Sequence, residues 1–352
     1  MTSIAHDEHA GQRLGVHRAL DPPGALPHIA RVLDARTPAN EYEAELDVEM
    51  LAIDATSFAA IRRHAGADPD GMASAIAEIV ADRGKLQNPW TGSGGVLLGR
   101  VRAVGARHHA RDQLAGGRLV VPLASLIAVP LSLEEVGPVD PSSPHVPVRG
   151  RAIVTGAMLC APVPDDLAPE VALTALDVYP AASYVRELAG HTCRLLVLGA
   201  GHAGLLALAA AGTTIGPAGS VSAVDISEPA LRRAQEVAPG MTAVRADVTA
   251  PVAVLQALAA AGAPKADLTL VCTSVEGAEG AALVATASTG TIVFFSTATR
   301  FAAAALGADA IGSQARLLIP NGLTEDRGEY ALQLLRDVAP LRQAFMRHEG
   351  RA

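Results

Sequence analysis

The sequence predicts an α/β protein: a β-rich N-terminal part followed by a doubly wound parallel sheet. Three observations carry this. From Thr192 onward, apolar runs of four or five residues alternate with helical segments at a spacing that suits a parallel sheet with crossover helices. The first such unit, Arg194–Asp225, reads strand, Gly199-x-Gly201-x-x-Gly204, small-residue helix, and a second strand ending in an acid. The first 150 or so residues lack that alternation and are instead short strand-like runs punctuated by Gly and Pro.

Taken in order, residues 1–40 are polar, with several Pro and His, and predict a mostly irregular arm. Glu45–Ile53 alternates like a strand with one wet face, and Ser57–Ala65 and Met72–Asp82 read as helices. Asn88–Gly105 is a Gly-rich loop passing into a strand, and Leu119–Val129 reads as an apolar strand pair. Pro138–Pro147 is a Pro/Ser loop, and Arg151–Pro162 is strand-like. Asp165–Glu170 caps a helix running towards Leu188. The parallel sheet is expected from strands at Arg194–Leu198, Val221–Val224, Met241–Val244, Leu268–Cys272 and Thr291–Phe295. Its helices are expected at Gly204–Thr213, Glu228–Val237, Val252–Ala261 and Glu276–Ala287, with one more at Gly328–Val338. The expected domains are a β-rich part over 1–165, completed by 315–352, and a nucleotide domain over 166–314.

The glycines sit where a chain must turn tightly and admit a pyrophosphate to its backbone. A helix starting near Gly201 aims free N–H groups and its positive dipole end at the phosphates. Gly199, Ala200, Gly201, His202, Ala203 and Gly204 therefore form a candidate phosphate loop. His202 within it is expected to face solvent or the pyrophosphate. Asp225, 21 residues beyond Gly204, is placed to accept from both ribose hydroxyls and to repel a 2′-phosphate, with Ile226 beside it. The expected cofactor is NAD rather than NADP. Cys272, Thr273 and Ser274, and Ser296 on the next strand, end strands at the sheet edge that faces a nucleotide in this fold. A class I S-adenosylmethionine methyltransferase shares the glycine-rich turn and the acid. It leaves the long β-rich segment ahead of the nucleotide fold unexplained.

With a net charge of −8 and only 3% aromatic residues, the chain offers neither a basic surface nor stacking platforms. A nucleic-acid or anionic-membrane partner is not expected. Cys160, Cys193 and Cys272 show no CxxC spacing and read as buried thiols of a reducing compartment. The opening residues have no secretory h-region, and the longest apolar stretch is broken by the glycine loop. A cytoplasmic protein is expected.

Several blocks carry a resemblance beyond the nucleotide loop: Gly15-Val-His-Arg18 with Gly24-Ala-Leu-Pro27, Leu51–Phe58, Asn88-Pro-Trp-Thr-Gly-Ser-Gly-Gly95 and Ala175-Leu-Asp-Val178. On these the chain resembles the medium-chain dehydrogenase/reductase superfamily. Within it, the chain is most similar to the L-erythro-3,5-diaminohexanoate dehydrogenase family of lysine fermentation. The resemblance implies a Rossmann domain joined to a GroES-like catalytic domain, a homodimer or tetramer formed through the nucleotide domains, and a small diamino or β-amino acid substrate. The implied reaction is NAD-dependent oxidative deamination of L-erythro-3,5-diaminohexanoate to 5-amino-3-oxohexanoate with release of ammonia, in lysine degradation. The alternative within the superfamily is a zinc-free alcohol or quinone reductase. A redox-sensing nucleotide binder without turnover is a third reading.

Compared with zinc-dependent members, Asp54 falls where a metal-binding Cys stands, and Gly94, Gly95 and Val96 fall on their Gly-His-Glu motif. The four-cysteine structural zinc lobe is missing too. Zinc needs about three protein ligands at a catalytic site, so no metal is expected. An amine must lose a proton before its lone pair can expel hydride, which calls for a carboxylate near the reacting carbon. Asp54 and Asp177 are the candidates, Asp177 because its segment matches the superfamily helix that lies against the nicotinamide. The sequence does not choose between them. Thr56 and Ser57 are candidates to relay protons or bind the substrate ammonium. Asn88, Thr91 and Ser93 are candidates to bind the substrate carboxylate, and Tyr179 to contact ring or substrate. Each also has a plain structural reading as a cap, turn or packing residue.

Overall fold

The computed structural model describes residues 10–114, 116–296, 298–319 and 325–348. The chain forms two compact units, divided between Asp177 and Val178.

The first unit runs α1 (Ala10–Arg13), a 3-10 turn (Val16–Arg18), β1 (Ala19–Asp21), β2 (Val32–Leu33), β3 (Ala44–Ile53), α2 (Ala55–His64) and α3 (Pro69–Arg83). It continues with β4 (Gly95–Val104), β5 (Leu119–Pro122), β6 (Leu131–Val136), β7 (His145–Val154), β8 (Cys160–Pro162) and α4 (Pro169–Val178). Six strands form one antiparallel sheet in the order β6-β7-β3-β4-β5-β8. The central strand β3 alternates buried and wetter residues over its first half, then buries Leu51, Ala52 and Ile53 in succession. Its last residues therefore lie under cover, which matters because Asp54 follows directly. Leu46, Leu51 and Ile53 pack with Phe58 and Ile61 of α2, Met72 and Ile76 of α3, and Leu97 of β4. Chain chemistry starts both helices: Asp54 accepts from the Ser57 amide at 3.0 Å, and Asp68 accepts from the Gly71 amide at 2.8 Å ahead of Pro69.

A buried ion pair ties the N-terminal arm to this sheet. Arg18 Nε donates to Glu43 at 2.8 Å, and the rest of its guanidinium donates to the carbonyls of Asp34, Thr37 and Pro38. Burial opposes ionisation of Glu43, yet hydrogen bonds from Arg18 and His17 hold its carboxyl down to about 2.

The second unit contains α5 (Pro180–Leu188), β9 (Arg194–Leu198), α6 (His202–Thr214), β10 (Ser220–Asp225), α7 (Glu228–Val237), β11 (Thr242–Arg245), α8 (Pro251–Ala260) and β12 (Ala266–Val271). Then follow α9 (Glu279–Ala285), β13 (Thr286–Phe294), α10 (Phe301–Ala310), β14 (Arg316–Leu318), α11 (Glu325–Asp337) and α12 (Ala339–His348). The sheet is wholly parallel, in the order β11-β10-β9-β12-β13-β14. Counted along the chain this is 3-2-1-4-5-6, with the topological switch between β9 and β12. Helix α6 has no polar face to spare: Ala203 to Ala211 are all buried, as small side chains at a helix–sheet contact must be.

The fold class is as expected, and several elements differ in detail. Leu119–Val129 is a single short strand, β5, followed by a buried irregular stretch, and the second strand of the region is β6. The Pro/Ser loop ends earlier, because β7 begins at His145. The helix expected to run to Leu188 is two helices, α4 and α5, since Pro180 lacks the N–H that a continuous helix needs and starts a new one instead. The β-branched Thr286 starts β13 where a helix was expected to continue to Ala287. After it, α10, β14 and α12 were not anticipated. The contacts divide the chain at 177/178 rather than at 165/166, and α11 and α12, within the segment expected to complete the first domain, pack against α5, α6 and α7. No described helix is long and apolar enough to cross a membrane. All three cysteines are free thiols.

Candidate functional site

The C-terminal edge of the parallel sheet gathers every residue singled out for a nucleotide. Gly199 closes β9 with φ +100°, and a Cβ there would lie 2.8 Å from the Thr273 amide nitrogen and 2.9 Å from the Cys272 carbonyl carbon. Only glycine fits this position, and it brings the loop against Cys272–Ser274 after β12. The Cys272 amide also donates to the Leu198 carbonyl at 2.7 Å. A Cβ on Gly204 would meet the Gly199 carbonyl oxygen at 2.0 Å, so the third glycine lets α6 close on the strand. Gly201 has nothing within 4 Å of its would-be Cβ. The room a pyrophosphate needs is therefore at Gly201, directly before the first turn of α6, whose N–H groups no side chain caps.

Asp225 ends β10. One carboxylate oxygen accepts from the Ala200 amide at 2.8 Å and the other from the Ser227 amide at 2.8 Å. It thus braces the phosphate loop, while each oxygen keeps a lone pair for a ribose hydroxyl. Ile226 beside it is 64% exposed, an apolar surface without cover on the nucleotide edge. Ser296 sits at the end of β13, its amide donating to the Val271 carbonyl at 3.2 Å. Ala203 is buried in α6. His202 differs from expectation: its ring packs on Phe345 of α12, with centroids 4.5 Å apart, rather than standing in solvent. These residues fit a dinucleotide.

The first unit holds the two candidate acid–base residues. Asp54 lies at the end of β3 and caps α2 through one carboxylate oxygen, and the other is buried with no hydrogen-bond partner among the described residues. Asp177 lies near the end of α4 and is half-buried. Burial, and then the Asp54 carboxylate, push its carboxyl up to about 7, and His145 opposes them. The two carboxylates proposed as alternatives are thus neighbours, close enough for Asp54 to act on Asp177.

Ser57, Thr91 and Ser93 also come together. Ser57 Oγ lies 2.7 Å from Thr91 Oγ1 and 2.7 Å from Ser93 Oγ, which are themselves 3.1 Å apart. Three hydroxyls carry three protons, so the closed triangle uses every donor; the Ser93 amide also donates to Thr91 Oγ1 at 3.4 Å, which leaves outward lone pairs on Ser57 and Ser93. Such a cluster suits an ammonium better than the carboxylate expected for Thr91 and Ser93. Asn88 holds the loop in place: its amide donates to the Ser57 carbonyl at 3.1 Å and accepts from the Trp90 amide at 2.9 Å, and the residue is buried. Thr56 is half-buried in the first turn of α2 beside Ser57, and Tyr179 is buried at the N-cap of α5.

The donor set does not suit a catalytic zinc. Gly95 has φ +119°, and a Cβ there would lie 2.0 Å from the Ala52 carbonyl oxygen. A ligating imidazole has no place at that position. Among the described residues, no three His, Cys, Asp or Glu side chains are grouped as a metal ion needs.

The profile of the L-erythro-3,5-diaminohexanoate dehydrogenase N-terminal domain matches residues 17–164. The chain is 34% identical over 337 residues to an L-erythro-3,5-diaminohexanoate dehydrogenase of Acetoanaerobium sticklandii, covering 95% of this chain and 98% of that protein. A Fusobacterium nucleatum enzyme of the same name is 35% identical over the same shares. The chain belongs to the L-erythro-3,5-diaminohexanoate dehydrogenase family. It is accordingly an enzyme of the dehydrogenase class. Among solved structures it is similar to an alcohol dehydrogenase from Thermus sp. ATN1, with TM-score 0.51 at 17% identity over 91% of each chain. It is also similar to a mycobacterial protein complexed with NADPH, with TM-score 0.53 at 16% identity over 89% of each chain. These likenesses establish the medium-chain dehydrogenase fold.

One residue of this family member was not singled out from its sequence. His145 is buried, and its Nε2 lies 3.0 Å from Thr174 Oγ1. The signal that could have found it is the register of β7 on β3, which sets His145 opposite Ala52, two residues before Asp54.

Proposed function

We propose that the chain catalyses NAD-dependent oxidative deamination of L-erythro-3,5-diaminohexanoate to 5-amino-3-oxohexanoate and ammonia, as a step of lysine degradation. The observation that carries this reading is the effect of the Asp54 carboxylate on the buried carboxyl of Asp177, in a chain related over nearly its full length to enzymes of that name. NAD, held by the Gly199–Gly204 loop and Asp225, supplies the hydride acceptor; the acid at Asp225 is the reason for NAD over NADP.

Burial and the Asp54 charge make Asp177 a carboxyl that takes and gives a proton near neutrality. As its carboxylate it accepts the proton of the substrate's 3-ammonium, freeing the nitrogen lone pair. When the C3 hydride leaves, that lone pair becomes the C=N bond of an iminium. The Asp54 carboxylate faces this cation and stabilises it. Water adds to the iminium carbon, and the C–N bond breaks to give ketone and ammonium. One proton and one hydride leave the substrate, and one water is consumed. The lone pairs of the Ser57–Thr91–Ser93 cluster receive the second ammonium, at C5.

Zinc has no part in this reading, because Asp54, Gly95 and Val96 stand where zinc-dependent members of the superfamily carry their Cys, His and Glu. The protein is further proposed to act in the cytoplasm, in keeping with three free cysteines. It is proposed to be a homo-oligomer, in keeping with the edge strand β14 and neighbouring α10, where Leu306 is 70% and Ile319 is 62% exposed.

The test is turnover at mildly alkaline pH with the diamino acid, related β-amino acids and simple alcohols side by side. The expected result is reduction of NAD with the diamino acid and none with alcohols. Activity confined to alcohols or quinones would replace this reading with the reductase one.

A further inference from the structure

We infer that Trp90, seated against His64, is a specificity-determining residue: it closes the far end of the amine site and limits how far a substrate's carbon chain extends beyond its second ammonium. The inference deepens the proposed function and rests on the roles given there to Asp54, Asp177 and the hydroxyl cluster.

The loop that carries Trp90 is pinned at several points. The backbone amide of Asn88 donates to the Ser93 carbonyl at 2.8 Å, and the Gly92 amide donates to the Asn88 carbonyl at 2.8 Å. Gly92 takes φ +74°, which favours glycine. The Asn88 side chain holds the Ser57 carbonyl and the Trp90 amide, and Thr91 and Ser93 both bond Ser57 Oγ. Trp90 therefore leaves a loop fixed on the first turn of α2. Its ring then lies against His64 in the last turn of α2, with centroids 4.3 Å apart.

Ser57 and His64 are seven residues apart, so they share one face of α2. Along the helix axis, Asp54 stands about 4.5 Å before Ser57 and His64 about 10 Å beyond it. Carboxylate, hydroxyls and indole thus follow one another in that order, all within the first unit.

A 3,5-diamino acid matches this order. With the C3 ammonium at the carboxylates and the C5 ammonium on the hydroxyls, the chain runs towards the indole, and only the C6 methyl is left. An indole suits that neighbour, being apolar towards a methyl and attractive to a cation over its face. Trp90 is the chain's single tryptophan, yet it is 48% exposed. It is large, apolar and already held in place, so a ligand that covers it pays little to order it.

The experiment has two arms. In the first, kcat/KM is measured for 3,5-diaminohexanoate and for 3,5-diaminooctanoate of the same configuration, two carbons longer beyond C5. The wild type is expected to favour the shorter chain by about tenfold or more, and Trp90→Ala to bring the two within about threefold. This variant keeps the loop, because Asn88 holds the Trp90 backbone and not its ring. His64→Ala, which removes the support of the ring, should shift the ratio in the same direction by less. In the second arm, Trp90 emission is followed as 3,5-diaminohexanoate is added to Asp177→Asn protein with NAD, and a saturable shift is expected. A wild type that takes both chains equally overturns the inference. So does a folded Trp90→Ala protein with the wild-type ratio, since an equal loss on both chains marks a merely structural role. Turnover of the shorter chain with silent Trp90 emission overturns it too, and leaves the proposed reaction standing. A saturable shift with no NADH formed by the wild type keeps this inference and removes the reaction. Neither binding nor turnover removes both.

Discussion

Replacing Asp177 with Asn should make the protein more stable and catalytically silent, and the stability gain should depend on pH in a defined way. The Asp177 carboxyl is raised from an ordinary 3.8 to about 7, first by burial and then by Asp54. A carboxyl raised on folding binds its proton more tightly in the native state. Its ionisation therefore removes stability as pH climbs from 3.8 towards 7, and the loss is complete above 7. Three units or so at about 1.4 kcal/mol each give an upper limit of about 4 kcal/mol. The side chain is half-buried, and remaining contact with water reduces this to about 2–3 kcal/mol. Asparagine removes the charge and keeps the shape. The assay is equilibrium urea unfolding of both proteins from pH 4.5 to 8.5, followed by Trp90 fluorescence. Trp90 is the single tryptophan of the chain and lies in the same unit as Asp177. The gap between the two proteins should grow with pH and level off above 7. A gap that stays flat, or a wild type more stable than the variant at pH 8, would refute the argument that this carboxyl is held against its charge.

Other consequences separate the roles of neighbouring groups. Asp54→Asn should abolish turnover with little change in stability, because Asn also caps helices, whereas Asp54→Ala should cost about 1 kcal/mol in addition; activity and thermal melts together show this. Gly201→Ala should leave the fold intact, since a Cβ there meets nothing within 4 Å, yet weaken NAD binding measured by calorimetry; Gly204→Ala should disrupt the fold itself, its Cβ being 2.0 Å from a carbonyl oxygen. Glu43→Gln should destabilise the first unit by about 3–5 kcal/mol in urea, by stranding the buried Arg18. In the wild type the contribution of Glu43 should be present above pH 4.5 and lost as pH falls towards 2.

Much of this molecule can be read along the chain because its signals are local. Helix α7 has the bounds expected of it, Glu228–Val237, since Ser227 caps it and its apolar residues recur at helical spacing. The nucleotide loop is equally local: three glycines, of which Gly199 and Gly204 have a steric reason visible in the fold and Gly201 leaves open space. What escaped depends on distance. Helix α10 is mostly alanine with a weak apolar stripe, so its periodicity is faint, and β14 is a three-residue edge strand defined by pairing with β13. In the site, Asp54 and Asp177 were named but set against each other as rivals, because 123 residues separate them and their mutual effect exists only in the fold. His145 follows a proline in an apparent loop and gains meaning only from the β3–β7 register. The hydroxyl cluster was legible only as separate residues, for another reason. Ser57, Thr91 and Ser93 can each donate or accept, and only their triangle decides the polarity they present.

In the proposed reaction a carboxylate pair removes a proton from an amine so that hydride can leave. The most direct measurement follows NADH and ammonia together during turnover of L-erythro-3,5-diaminohexanoate by the wild type and by the Asp54→Asn and Asp177→Asn proteins. One ammonia per NADH is expected in the wild type, and loss of both products in each variant, with NAD binding retained. NADH without ammonia, or either variant turning over at near wild-type rate, would contradict the proposed reaction.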